Sequence, residues 1–125
     1  MSLLLAVAML AAQSTAPNEA GGQWVEIERT DSHVINLDET SIERTGNLSR
    51  VWIRADYPQV SAETGDKRTF FQMQVDCSGR TIALIRYRGY DESGNRTGES
   101  AISSPQPNQI APDTAGAHLF ERVCR

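Results

Sequence analysis

Between Trp24 and Ile102, apolar and polar residues alternate with a period of two in several short runs. Beyond Asp113 the apolar period lengthens to that of a helix. Trp24-Val25-Glu26-Ile27-Glu28 alternates apolar with charged, and His33 to Leu37 forms a second short run. From Leu48 to Ala55, Val51, Ile53 and Ala55 share one face, while Arg50, Trp52 and Arg54 share the other. From Thr69 to Cys77, Phe71, Met73, Val75 and Cys77 share a face opposite Phe70, Gln72, Gln74 and Asp76. Thr81 to Tyr87 is a fifth run, and a weaker sixth spans Thr97 to Ile102. Gly or Asn at 46–47, 65, 79 and 94–95 supplies the positive φ of tight turns. No helix-length segment separates the runs, so the connections are antiparallel.

The expected fold is α+β: an antiparallel meander of five or six strands with a C-terminal helix packed on it. Asp38 to Glu43 can form one helical turn capped by Asp38. Ser103 to Pro112 carries three prolines and reads as an ordered, non-helical connection. Asp113 or Thr114 can then cap a helix. On that helix Gly116, Leu119, Phe120, Val123 and Cys124 fall within about 140° of arc, with His118, Glu121 and Arg122 outside it.

The first ten apolar positions change the picture, because Leu3 to Ala12 resembles the core of a secretory signal peptide. It is too short to span a bilayer, which takes about 20 residues. Residues 1–16 are expected to be a signal, with cleavage after Ala16. Residues 17–22 are then a linker and 23–125 one domain. No cysteine follows the leader, so no acylation site is visible. The expected location is outside the cytoplasm: periplasm, cell surface or medium.

Cys77 and Cys124 are the only cysteines. Export and an even count argue for one intramolecular disulfide. Strand and helix periodicities independently put both thiols on buried faces. Two thiols and two scattered histidines lack a zinc-ligand spacing, so no metal is expected.

The net charge is −4 at neutral pH, a poor balance for binding nucleic acid. No hydrolase elbow, phosphate loop, zinc helix or dinucleotide fingerprint occurs, so neither an enzyme nor a cofactor is expected. Glu26 and Glu28 share a strand face on simple alternation, which exposed polar positions explain without acid–base chemistry. The best binding candidate is the face bearing Arg50, Trp52 and Arg54, joined by Lys67 and Arg68 at the start of the next strand. Arg86 and Arg88 share a face of the fifth run. Trp and Arg are the residue types enriched at binding hot spots. Such a patch requires Trp52 to be exposed. If the helix covers this face instead, Trp52 is core and the arginines pair with Glu26 or Glu28.

The chain resembles the bacterial surface-adhesin protein E family over residues 24 to 124. The matching features include Trp24, Asn36-Leu37-Asp38 with Ser41-Ile42, Val51-Trp52-Ile53-Arg54, Val75-Asp76-Cys77, Tyr87 with Tyr90, Ile110-Ala111-Pro112 and Val123-Cys124. The resemblance implies an antiparallel sheet with a disulfide-tethered C-terminal helix. It also implies adhesion through host matrix and serum proteins such as laminin and vitronectin. The function expected is that of an exported, non-catalytic binding module for a host or envelope protein. A homodimer through an uncovered face or edge is a second partner class. The alternatives are an envelope enzyme inhibitor of the lysozyme-inhibitor kind, for which Ser78-Gly79-Arg80 is the sole candidate loop, and a structural envelope protein with no discrete site.

Overall fold

The computed structural model describes residues 22–125. The signal expected over 1–16 and most of the linker expected over 17–22 lie outside the described residues. Eight strands form one antiparallel sheet: β1 (Trp24–Arg29), β2 (Val34–Asp38), β3 (Glu43–Thr45), β4 (Leu48–Asp56), β5 (Arg68–Asp76), β6 (Thr81–Tyr90), β7 (Arg96–Ala101) and β8 (Asn108–Gln109). A 3-10 turn spans Glu39–Ser41, and one helix, α1, spans Ala115–Val123. The sheet order is β1-β2-β4-β5-β6-β7, with β3 added to β4 and β8 to β6.

The sheet therefore has eight strands where five or six were expected, and the two extra ones explain the difference. β3 is three residues long, β8 two, and all five residues are exposed. Neither has an apolar face, so alternation cannot reveal them. β6 also runs on to Tyr90, past a register shift opposite Gln72 and Met73 that interrupts its alternation near Ile85.

β2 and β3 share the same edge of β4. β2 pairs with Ile53 to Asp56, and β3 with Leu48 to Arg50. The 3-10 turn bridges the gap between them. Asp38 caps it by accepting from the Thr40 amide at 3.0 Å, and the Ser41 hydroxyl accepts the Trp52 N–H at 2.9 Å. That hydroxyl satisfies a backbone donor that no strand reaches.

α1 starts at Thr114, whose hydroxyl accepts the Ala117 amide at 3.2 Å. Its apolar stripe buries Leu119 and Val123 against Leu37, Val51 and Val75, with Ile27, Ile53, Met73 and Phe120 around them. The helix thus covers the Val51–Ile53 face of β4. Cys77 and Cys124 are bonded, with their Cα atoms 5.6 Å apart. Arg44 of β3 donates to the Val123 carbonyl at 2.7 Å, placing a cation at the helix C-terminus, where the dipole favours one.

Candidate functional site

The candidate residues lie on the face of the sheet opposite α1. The register sets them in cross-strand rows. One row runs Asn36, Arg54, Phe70, Arg88, Glu99. The row on one side of it runs Trp52, Gln72, Arg86, Ala101. On its other side Asp56, Arg68 and Tyr90 line up. A further row runs Glu43, Arg50, Gln74. Period-two strands in register convert scattered arginines into one surface.

Aromatic rings hold the middle of this face. Trp24 and Tyr90 each meet Phe70 edge-on, at 5.9 and 5.8 Å between centroids. The Arg54 guanidinium lies 4.6 Å over the Trp24 ring. Asp56 gathers three donors: Arg54 Nε at 2.9 Å, Arg68 Nε at 2.8 Å and Asn36 Nδ2 at 3.1 Å. Lys67 donates to the Pro58 carbonyl at 2.7 Å. Among the described residues Arg50 donates only to the Gln74 side-chain oxygen, at 3.2 Å. Burial opposes the charge on Arg88, yet hydrogen bonds to Tyr90 and Glu99 hold its pKa above the ordinary arginine value.

Arg50, Trp52, Arg54 and Arg68 thus share one face but not one environment, and Lys67, just before β5, joins them only at the end of the sheet. Lys67, Arg68 and Asp56 line a cleft of about 490 Å³ with Tyr57, Phe70 and Tyr90, between the β4–β5 loop and the β6–β7 hairpin. Arg54 sits deeper, against Trp24. Trp52 is only 5% exposed although the helix lies on the other face. The exposure required of Trp52 is therefore absent, and so is the helix cover that would have explained its burial. Arg54 and Arg68 pair with Asp56, and Arg88 with Glu99, rather than with Glu26 or Glu28. A bulge between Glu26 and Glu28 breaks their shared register. Glu26 instead pairs with Arg29 and Glu28 with His33.

Asp56, Asn36 and Trp24 belong to this site but were not among the binding candidates read from the sequence. Asp56 follows Arg54 by two positions on the same strand face, which is a legible signal. Asn36 and Trp24 reach the site only through strand pairing. On the remaining candidate loop, Asp76 accepts from the Gly79 amide and from Ser78, and these bonds lower its pKa. Arg80, the one basic side chain of that loop, stacks 4.6 Å over Phe120 of α1. Among the described residues no three His, Cys, Asp or Glu side chains converge as metal ligands. Nor is any described helix long and apolar enough to cross a membrane.

A sequence profile described as "Surface-adhesin protein E" matches residues 24–125. No curated protein matches significantly. Among solved structures, Haemophilus influenzae protein E superposes with a TM-score of 0.58 at 14% identity, covering 88% of this chain and 89% of that one. A second crystal form of the same protein gives 0.57 at 13%, covering 86% and 91%. Protein E from non-typeable Haemophilus influenzae gives 0.55 at 13%, covering 86% and 79%. At these identities the likeness is one of fold.

Proposed function

The chain belongs to the surface-adhesin protein E family, and from that premise we propose that it is an exported, non-catalytic module that binds a protein partner through the face of the sheet opposite α1. Its place of action is the periplasm, the cell surface or the medium. The observation that carries this reading is the division of labour between the two faces. The disulfide and α1 are spent on one face, whereas the other gathers Arg50, Arg54 and Arg68 with aromatic rings, and Lys67 lines the cleft at its end. Guanidinium groups beside aromatic rings suit a protein surface better than a small substrate. The inhibitor reading finds no support in the Ser78-Gly79-Arg80 loop, because Arg80 is drawn down onto Phe120.

Surface plasmon resonance of the full exported chain over immobilised laminin and vitronectin tests this function. We expect saturable binding to at least one of them, weakened about tenfold or more when Arg54 and Arg68 are both changed to Gln. Absence of binding to both proteins, or binding indifferent to the double variant, overturns it.

A further inference from the structure

We infer that Arg50 and Arg86 form a docking site for paired carboxylates of an acidic polypeptide; this rests on the binding-module reading and names its partner's chemistry. The arginines of this face divide by their counter-charges. Asp56 lies between Arg54 and Arg68, and Glu99 takes Arg88. Among the described residues Arg50 and Arg86 form no ion pair: Arg50 donates to Gln74, with Glu43 its cross-strand neighbour on β3, and Arg86 Nε is shut from water with no acceptor, which leaves the terminal nitrogens of Arg86 to meet a ligand. A buried donor left unpaired in a folded protein calls for an explanation. A half-buried guanidinium without a counter-ion is a charge waiting for one, because partial desolvation strengthens any pair it forms.

The register fixes the span. Trp52, Gln72 and Arg86 form one row, and Arg50 and Gln74 belong to the adjacent row on that face. Arg50 and Arg86 are therefore two strands and two residues apart, about 12 Å between Cα atoms. Long guanidinium arms can close that distance onto carboxylates about 7 Å apart on one side of an extended segment. Beside Arg86 a depression of about 90 Å³ is walled by Trp52, Glu99 and Ala101. It has room for one carboxylate. Glu99 at its rim repels a doubly charged phosphate or clustered sulfates more strongly than a single carboxylate.

Biolayer interferometry of the full chain against poly-L-glutamate tests the assignment, with heparin and phosphatidylglycerol vesicles as rival probes. Polyglutamate binding is expected to be saturable and to weaken about tenfold in Arg86→Gln and in Arg50→Gln. Arg86→Lys should recover part of the loss, and Arg122→Gln should change nothing. The melting temperature of Arg86→Gln is expected to hold or rise, since an unpartnered buried donor is removed; a fall marks Arg86 as structural and overturns its assignment. Should that variant fail to fold, Arg50→Gln carries the test, because Arg50 is exposed and, among the described residues, its side chain hydrogen-bonds only to Gln74. Polyglutamate binding unchanged in both variants overturns the proposal. So does Arg86-dependent binding of heparin or vesicles in place of polyglutamate. Polyglutamate retained while both protein films fail contradicts the host-protein reading alone, and the converse contradicts this one alone.

Discussion

Gly89 is buried in β6 at a point where a side chain has nowhere to go. A Cβ there would run into the Asp66 carboxylate and the Thr97 hydroxyl. Asp66 is itself 5% exposed and accepts the hydroxyls of Thr69, at 2.6 Å, and Thr97. One carboxylate thus ties the loop before β5 to the edge strand β7, and the glycine makes room for it. Gly89→Ala should therefore destabilise the domain by about 1–3 kcal/mol, as overpacking does. In urea the midpoint should fall with the slope unchanged. An unaltered midpoint would mean that the Asp66 cluster yields freely. Nothing in the sequence marks Gly89 as different from the turn glycines, because its constraint comes from residues 23 positions before and 8 after it. Asp56 presents the opposite case. Its spacing of two from Arg54 places both on one strand face, so that half of the site is readable along the chain.

At the scale of elements, α1 is short and its hold on the sheet comes from outside itself. Leu119 and Val123 supply the apolar contact, Arg44 caps the last turn, and the disulfide closes a separation of 47 residues. In the chain-entropy view, closing a loop of that length contributes about 4 kcal/mol. Cys77→Ser should therefore lower the melting temperature by about 10 °C or more, each kcal/mol being worth about 4–8 °C in a domain of this size. Amide exchange should accelerate in α1 before it does in β4 or β5. Coincident melting curves for oxidised and reduced protein would remove the tether from the account. The pairing was legible because two different periodicities, one of strand and one of helix, each placed a cysteine on a buried face. β3 and β8 were not legible, since fully exposed pairing segments owe their structure to backbone hydrogen bonds with β4 and β6.

On the scale of the whole molecule, the two faces of the sheet do different work. The helix face follows from local pattern: alternation in β4 and β5 picks out Val51 and Val75, and the helical arc picks out Leu119 and Val123. The opposite face does not follow from it. Four of the five candidate residues, Arg50, Trp52, Arg54 and Arg68, lie there, but their partners depend on register. Pairing brings Asn36 beside Arg54, and Trp24 under the Arg54 guanidinium, across strands whose alignment no local signal fixes. Burial of Trp52 likewise depends on its neighbours in three dimensions, since alternation alone gives it the same standing as Arg50.

Hydroxyl-radical footprinting of the full chain, free and bound to laminin or vitronectin, tests most directly which face makes the contact. Trp24 and Tyr90 report on the open face, and His118 and Phe120 on α1. The account predicts that oxidation of Trp24 and Tyr90 falls on binding while that of His118 and Phe120 is unchanged. Protection of His118 and Phe120 with Trp24 and Tyr90 unaffected would contradict it.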